Sequence, residues 1–286
     1  MRTGLGLLCL LAALALPAAH AQQAFNLPGT RVHTLANASN GEDYELYVWA
    51  PESCTEASPC PAVYMLDAEY SFGLSVLIVE HLQARGQMEP LVLVGIAYPD
   101  KTPAGYRRNR TRDYTITHVP QGGYGPQYQQ YSGGADAFLD TISSDIIPWL
   151  EGHYPVSDES RGLIGHSFGG LFGTYTYLTR PELFTDYLIV SPSLWYDDSE
   201  IFNQVDSASI PADRDRQLFM SVGDLEERPG IARAMVSDML SMAARLDERR
   251  DAGVEIETEV LENQTHASVF PLALSNGLRF LFPAED

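Results

Sequence analysis

Short apolar segments alternate with segments of helical spacing along most of this 286-residue chain. Strands are predicted over residues 44–50, 61–66, 91–98, 162–165, 187–190, 217–222 and 254–261. Helices are predicted over residues 74–85, 135–154, 169–179, 231–249 and 269–282. This order predicts an α/β fold with a doubly wound, mostly parallel sheet and helices on both faces. No repeat or long linker interrupts the pattern, so residues 22–286 are expected to form one domain.

Two of the predicted helices carry an apolar face that we expect to be buried. In the first helix that face consists of Leu74, Leu77, Ile78 and Leu82. In the helix over residues 231–249 it consists of Ile231, Met235, Met239, Met242 and Leu246. A methionine stripe at helical spacing is typical of core packing, not of a cofactor site. Residues 100–132 are polar and have no periodicity, which predicts a long irregular segment that is functional or mobile.

The first 21 residues have the pattern of a secretory signal peptide. Arg2 supplies a positive start, residues 5–16 form an apolar run, and Ala19-His20-Ala21 fits a cleavage site. The apolar run is too short to span a bilayer comfortably, which disfavours an N-terminal membrane anchor. We therefore expect cleavage near Ala21 and a periplasmic or secreted mature protein without stable membrane insertion.

The composition is strongly acidic, with 38 acidic and 18 basic side chains and a formal net charge of −20. A nucleic-acid partner is not expected, because phosphate binding requires a basic surface. Lys101 is the only lysine and lies outside any Gly-Lys-Ser/Thr motif, which excludes a P-loop.

Two cysteines, Cys54 and Cys60, follow the predicted signal peptide. In an exported protein a pair this close favours a disulfide over a metal or redox site. Two free thiols in a surface loop are the alternative. The histidines are scattered, and no metal-ligand motif or dinucleotide fingerprint is present, so neither a metal nor a cofactor is expected.

A short apolar strand leads into Gly165-His166-Ser167-Phe168-Gly169 and then directly into a helix. This is the Gly-x-Ser-x-Gly pattern in the strand–turn–helix context that presents a nucleophilic serine. Glycines flank the serine because bulky neighbours would clash in so sharp a turn. A glycine-rich turn with a chance serine is the alternative, but the strand, the motif and the helix together favour Ser167 as a nucleophile.

Ser167 requires a general base, and in this type of fold the chain order is serine, acid, histidine. His266 is the only histidine beyond the motif, and it lies between the last predicted strand and the last helix. His166 is adjacent to the nucleophile and cannot fold back onto it. His266 is therefore the predicted base.

Three carboxylates after the strand over residues 217–222 compete for the role of the acid that orients this histidine. They are Asp224, Glu226 and Glu227. Gly223 is expected to make the turn, and the spacing Gly-x-x-acid favours Glu226. The other two carboxylates remain open as alternatives.

A tetrahedral intermediate at Ser167 requires two backbone N–H donors, the oxyanion hole. The first is expected from Phe168, the residue after the nucleophile. The second is expected from Glu69, in the loop after the strand over residues 61–66. Asp67, in the same loop, is interpreted as a turn-forming, hydrogen-bonding residue.

Four segments carry a resemblance to a known family. They are Val-Tyr-Met-Leu-Asp (63–67), Gly-His-Ser-Phe-Gly-Gly (165–170), Ser-Pro-Ser-Leu-Trp-Tyr-Asp-Asp (191–198) and Thr-His-Ala-Ser-Val (265–269). Together they resemble the putative-esterase (esterase D-like) family, and most of all its siderophore-hydrolase-like branch. The resemblance covers nearly the whole chain after residue 21, and it implies the α/β-hydrolase fold and ester hydrolysis. The family usually has Asp-Gly where this chain has Asp67-Ala68.

The main functional prediction is an exported serine esterase that needs no cofactor and acts on a small-molecule ester, such as a siderophore lactone or an aromatic ester. An acyltransferase of the same fold and a non-catalytic ligand-binding protein are the alternatives. No pattern indicates an oligomeric state.

The segment over residues 100–132 concentrates positive charge in an otherwise acidic chain. Arg107 and Arg110 are predicted to receive an anionic or catecholate substrate, and Trp195 and Tyr196 to form a wall of the acyl pocket. The competing interpretation pairs Arg112 with Asp113, leaves the other arginines solvated, and packs the two aromatic residues as scaffold.

Overall fold

One eight-stranded sheet forms the centre of the part of the chain that the computed structural model describes, residues 26–205, 208, 215–230, 233–249 and 254–284. Its strands are β1 (Thr30–Leu35), β2 (Tyr44–Trp49), β3 (Cys60–Met65), β4 (Val92–Ala97), β5 (Val156–His166), β6 (Asp186–Val190), β7 (Arg216–Gly223) and β8 (Val254–Leu261). The helices are α1 (Ala68–Gln83), α2 (Pro103–Tyr114), α3 (Pro126–Gln129), α4 (Ala135–Thr141), α5 (Ile147–Glu151), α6 (Phe168–Thr179), α7 (Tyr196–Ser199), α8 (Ile201–Val205), α9 (Met235–Arg249) and α10 (Val269–Leu281). A π-helical turn at Ile142–Ile146 joins α4 to α5, and a 3₁₀ turn at Asp224–Glu226 follows β7.

The strands follow the order β1-β2-β4-β3-β5-β6-β7-β8. β1 and β2 pair antiparallel, β2 pairs antiparallel with β4, and all further neighbours are parallel. The predicted mostly parallel α/β sheet is therefore confirmed. β1 is a strand that the apolar pattern does not predict, because it lies at the sheet edge and its Val32 is 62% exposed.

Helices cover both faces of the sheet, as the alternating pattern predicts. α1 and α10 pack on one face, where Phe72 and Leu278 are buried. α4, α6 and α9 pack on the other face, which holds Phe138, Phe172 and Met239. The central strands β3, β4 and β6 are buried along their whole length, which explains why they are continuous apolar runs.

The six parallel strands point the same way, so the segments that follow them meet at one edge of the sheet. We call this the C-terminal edge, and the opposite one, where these strands begin, the N-terminal edge. Ligands bind at the C-terminal edge in open α/β sheets.

The buried face of α1 differs from the prediction. The helix begins at Ala68 instead of residue 74, and it packs Phe72, Val76, Val79 and Leu82 against the sheet. Leu74 and Leu77 are 40% and 51% exposed, so placing them in the buried face was wrong. The sequence offers two apolar stripes on this helix, and the position of the sheet selects one of them.

The segment over residues 100–132 is also more ordered than predicted, because it contains α2. Thr102 caps this helix by accepting a hydrogen bond from the Gly105 N–H at 3.0 Å, and Pro103 stands at its first position. The buried face of α2 is polar and includes Asn109, Arg110 and Asp113. An apolar-periodicity search misses such a helix, whereas its Thr-Pro start is a usable signal.

Three further expectations concern single features. The methionine stripe of α9 is core packing, with Met235, Met239, Met242 and Leu246 buried; Ile231 lies outside the described residues. Cys54 and Cys60 are joined by a disulfide with Cα atoms 5.4 Å apart, as predicted. The predicted signal peptide lies outside the described residues, and within them no helix is long and apolar enough to cross a membrane.

Candidate active site

Ser167 lies at the C-terminal edge, in the sharp turn between β5 and α6. Its backbone has φ 63° and ψ −117°, a strained conformation for a residue with a side chain. The turn is so tight that a Cβ on Gly165 would lie 2.1 Å from the carbonyl oxygen of Gly169. The Ser167 N–H donates to the Val190 carbonyl at 3.0 Å, which fixes the turn against β6.

His266 and Glu226 meet beside this serine. His266 lies in the loop between β8 and α10, and its Nδ1 is 2.5 Å from Glu226 Oε2. The other oxygen of Glu226 accepts hydrogen bonds from Ser191 Oγ at 2.6 Å and from the Gly223 N–H at 2.9 Å. The Glu226 side chain is 2% exposed and that of His266 is 45% exposed, so a buried, fully bonded carboxylate orients a solvent-accessible imidazole.

The two competing carboxylates have other partners. Asp224 accepts a hydrogen bond from the Gln264 N–H at 3.2 Å, which ties the turn after β7 to the histidine loop. Glu227 binds the backbone and the hydroxyl of Ser237 at the start of α9. Of the three, the structure places Glu226 opposite His266.

The two predicted oxyanion donors lie at the N-termini of α6 and α1. Phe168 is the first residue of α6 and Glu69 the second of α1, where backbone N–H groups have no intrahelical acceptor. The start of α1 reaches the nucleophile turn, since a Cβ on Gly169 would lie 3.5 Å from Asp67 Oδ2. The Glu69 side chain has a different role from its backbone N–H. Its carboxylate accepts a hydrogen bond from the Tyr98 N–H at 2.7 Å, and burial raises the pKa of this carboxyl group.

The guanidinium of Arg110 forms hydrogen bonds with three different parts of the site. Its Nε donates to Asp67 at 2.6 Å, one terminal nitrogen donates to Tyr124 Oη at 2.6 Å, and the other donates to the His166 carbonyl at 3.0 Å. The Arg110 and Asp67 side chains are 3% and 2% exposed. The expectation that arginines other than Arg112 are solvated is therefore wrong for Arg110, a buried bridge between the start of α1, the nucleophile turn and the cleft wall.

Around Ser167 the protein forms a cleft of about 200 Å³, the central cleft. It is lined by Arg110, Gly123, Tyr124, Ser167, Phe168, Ser193, Trp195, Arg233 and His266. Serine, histidine and an aromatic wall thus share one opening.

The remaining predicted substrate residues lie at different depths. Trp195 is half-buried and lines the central cleft, whereas Tyr196 is buried and donates its hydroxyl to the Thr117 carbonyl at 3.1 Å. Arg107 is exposed, with its guanidinium 5.9 Å from the centre of the Tyr124 ring. Arg112 pairs with Asp113 at 2.7 Å, as the competing interpretation expects.

The amino-acid sequence of the chain matches a known protein family. Residues 37–281 match the profile of a family described as "Putative esterase". The chain belongs to this esterase family. It is accordingly a hydrolase that acts on ester bonds, with the α/β-hydrolase fold.

Relatives of this esterase include proteins named as siderophore esterases. The ferri-bacillibactin esterase BesA of Bacillus subtilis (strain 168) is 27% identical over 267 residues, which cover 90% of this chain and 91% of that protein. The siderophore triacetylfusarinine C esterase of Aspergillus fumigatus is 28% identical over 289 residues, covering 90% and 94%. A solved structure, an IroE-like serine hydrolase from Shewanella oneidensis, superposes with a TM-score of 0.75 at 28% identity and covers 88% of this chain and 80% of its own. The resemblance to the siderophore-hydrolase branch is thereby confirmed.

A short loop after β6 supports two members of this esterase's site, and its role is not evident from the sequence. Ser191, with φ 43°, bonds Glu226, while the Ser193 N–H donates to the Ser167 carbonyl at 3.0 Å. The hydroxyl oxygens of Ser193 and Ser167 are 3.4 Å apart. The Ser-Pro-Ser sequence quoted for the family resemblance is the signal that could have pointed to it.

His166 is a second imidazole next to the candidate base. Its ring centre is 4.6 Å from that of His266, and its Nδ1 lies 3.3 Å from Tyr70 Oη. Burial, with smaller contributions from the charges of His266 and Arg110, holds the pKa of His166 well below its ordinary value. A neutral His166 therefore packs against His266 without adding a charge.

Among the described residues no group of three or more histidine, cysteine, aspartate or glutamate side chains could hold a metal ion.

Proposed function

We propose that the protein is an exported serine esterase that hydrolyses carboxylic esters through Ser167, His266, Glu226 and an acyl-enzyme. The contact of 2.5 Å between His266 Nδ1 and Glu226 Oε2 is the observation that carries this proposal, because His266 lines the same cleft as Ser167. A histidine held in this way presents its other nitrogen to a serine hydroxyl.

In the first half-reaction Ser167 Oγ attacks the ester carbonyl carbon while His266 Nε2 takes the hydroxyl proton. Glu226 stabilises the imidazolium that results. The carbonyl oxygen becomes an oxyanion and accepts hydrogen bonds from the Phe168 and Glu69 N–H groups. When the tetrahedral intermediate collapses, the carbon–oxygen bond to the alcohol breaks, and His266 delivers the proton to the departing alcohol oxygen.

In the second half-reaction a water molecule attacks the acyl-enzyme. His266 removes a proton from this water, and the carboxylic acid leaves as Ser167 recovers its hydrogen. An alcohol in place of water would give the acyltransferase reaction.

The proposed substrate class is a siderophore lactone or a related aromatic ester. Tyr124, Phe168 and Trp195 give the central cleft aromatic walls that suit a planar ring. The names of the relatives, a ferri-bacillibactin esterase and a triacetylfusarinine C esterase, support the same class. We propose no protein or nucleic-acid partner.

We further propose that residues 1–21 are a signal peptide and that residues 22–286 form one esterase domain in the periplasm or outside the cell. The Cys54–Cys60 disulfide supports export, because disulfides persist in oxidising compartments.

A fluorophosphonate probe tests the nucleophile directly. The wild-type protein and Ser167→Ala are treated with the probe, and the labelled peptide is mapped. Ser193→Ala serves as a matched control, because this second serine lines the same cleft. We expect label on Ser167 in the wild type and in Ser193→Ala, and none in Ser167→Ala. No labelling of the wild type would favour the non-catalytic alternative.

The substrate class is tested with purified residues 22–286 on p-nitrophenyl acyl esters, feruloyl esters and a catecholate trilactone. We expect the highest kcat/KM for the trilactone. Product analysis with added alcohol separates hydrolysis from acyl transfer, because a transferase would form a new ester at the expense of the free acid.

A further inference from the structure

A second cleft of about 260 Å³ opens on the far side of His266, and we call it the histidine cleft. Leu225, Arg228, Arg233 and Met235 line it together with His266. Arg233 and His266 also line the central cleft, so they lie at the boundary of the two clefts, whereas Leu225, Arg228 and Met235 line the histidine cleft but not the central one. Ser167 and Phe168 line the central cleft but not this one. The histidine cleft therefore adjoins the base without containing the nucleophile or the oxyanion donor after it.

This position assigns the histidine cleft to the alcohol half of an ester. His266 delivers its proton to the departing alcohol oxygen, so that oxygen must lie next to the imidazole. The group attached to the oxygen then extends past His266, away from Ser167. The acyl half stays bonded to Ser167 and occupies the central cleft.

The histidine cleft carries positive charge in a strongly acidic protein. Arg233 is exposed and lies with its guanidinium 3.9 Å from the centre of the Trp195 ring. Neither Arg228 nor Arg233 has a salt bridge within the described part of the chain, whereas Arg110 and Arg112 both do. The nearby carboxylates have other hydrogen-bond partners: Glu226 binds His266, and Glu227 binds the Ser237 N–H.

The opposite end of the site has the opposite charge. A third cleft, of about 220 Å³, is lined by Gly123, Trp195, Asp197 and Asp198. Trp195 borders all three clefts, so it separates an acidic end from a basic end. This distribution of charge would orient an ester with one anionic half so that this half faces His266.

We propose that Arg233, assisted by Arg228, binds a carboxylate or other anionic oxygen group on the leaving alcohol, so that the enzyme prefers esters whose alcohol half is anionic. The proposal rests on the proposed serine esterase function. The chemistry is unchanged: the alcohol leaves with the proton delivered by His266 and with its anionic group still paired to Arg233. A guanidinium stacked on an indole is pre-oriented for such a contact, because one face is covered and its edge donors are free.

Three aryl esters separate the two halves. Phenyl acetate is neutral, 4-acetoxybenzoate has an anionic leaving group, and monophenyl succinate has an anionic acyl group. Values of kcat/KM are measured for the wild type, Arg233→Gln and Arg245→Gln. Arg245 is the matched control, since it stacks on Phe202 with 5.1 Å to the ring centre and lines none of the three clefts.

We expect Arg233→Gln to lower kcat/KM for 4-acetoxybenzoate about tenfold more than for either other ester, the size of a lost charged hydrogen bond. Arg245→Gln should change no ratio among the three esters. Equal losses on all three esters, or a selective loss on monophenyl succinate, would overturn the assignment. If wild-type protein hydrolyses none of the three esters and resists the fluorophosphonate probe, the esterase proposal itself fails, which is a separate outcome.

Discussion

The two edges of the sheet are built differently. At the C-terminal edge, the segments after β3, β5, β6 and β8 each contain a non-glycine residue with positive φ: Asp67, Ser167, Ser191 and Asn263. Among the described residues, the segments that precede a parallel strand at the N-terminal edge contain none. Strained backbone of this kind costs about 1 to 3 kcal/mol per residue and persists only where surrounding contacts fix it.

Those contacts are present at the strained edge. Arg110 holds Asp67, Ser191 holds Glu226, and the Val190 carbonyl holds the Ser167 N–H. The N-terminal edge instead carries features that bear on stability, such as the Cys54–Cys60 disulfide. The protein thus concentrates positive-φ backbone at the edge where we propose the chemistry, and substitutions at the two edges should separate activity from stability.

The largest effect should come from Ser167→Ala and His266→Ala. We expect each to lower kcat for ester hydrolysis by roughly 10⁴- to 10⁶-fold, because members of a catalytic unit fail together. Unfolding midpoints in urea should stay near the wild-type value, since neither side chain is part of the core. Combining the two substitutions should add little further loss. A single variant that keeps more than about a tenth of wild-type kcat would contradict the assignment.

A smaller loss is expected at the acid. Glu226→Gln should lower kcat by about 10³- to 10⁴-fold, because an amide neither stabilises the imidazolium nor enforces the required tautomer. Asp224→Asn is the matched control, since this carboxylate lies in the same turn as Glu226 and accepts a hydrogen bond from the Gln264 backbone instead of facing His266. The ranking of the two kcat values is the measurement, and a reversed ranking would move the acid to Asp224.

A substitution of Arg110 at the C-terminal edge should lower both activity and stability, because this residue supports both the site and the fold. Arg110→Met leaves the Asp67 carboxylate buried without its charge partner, which destabilises the protein by about 3 to 5 kcal/mol. We also expect about a 10²-fold loss in kcat on neutral and anionic esters alike, as the start of α1 loses its anchor. Arg107→Met, on an exposed position of the same helix, provides the control for helix composition.

The double variant Asp67→Asn with Arg110→Met distinguishes stability from positioning. Removing the orphaned charge should recover part of the free energy of unfolding but little of kcat. Full recovery of kcat would mean that Arg110 acts only through stability. A selective loss on anionic esters in Arg110→Met would instead return it to the predicted role of substrate receptor.

The parts of the site that the sequence predicts are those fixed by chain order. Ser167 and His266 follow parallel strands, and parallel strands end at one edge, so their position at the same edge follows from the pattern of elements alone. Arg110 is different, because its partner Asp67 is 43 residues away and their contact depends on how α2 crosses the start of α1. No local period encodes that crossing.

The two errors in the helices have the same physical origin. The buried face of α2 consists of polar groups that are satisfied by specific partners, and such partners are a property of the folded arrangement. Likewise, the sheet decides whether α1 buries Phe72 and Val76 or Leu74 and Leu77.

The smallest predicted effect concerns stability at the N-terminal edge. Asp186 begins β6, is 6% exposed, and accepts hydrogen bonds from Ser160 and Thr185 at 3.1 and 2.6 Å. Burial raises the pKa of Asp186 from its ordinary value of 3.8 to about 6. Between these values the folded protein keeps a proton that the unfolded chain releases, so stability falls as the pH rises from about 4 to about 6.

Asp186→Asn removes this titration but keeps an oxygen that the two hydroxyls can bond. The variant and the wild type should therefore be equally stable near pH 4, and the variant should be more stable by about 2 to 3 kcal/mol at pH 7. Urea unfolding from pH 4 to pH 8 measures the difference, and kcat/KM for phenyl acetate should not change, because Asp186 lies at the edge opposite Ser167. A variant that loses activity while its stability stays level with the wild type would break the distinction between the two edges, because a residue at the N-terminal edge would then be acting on the chemistry.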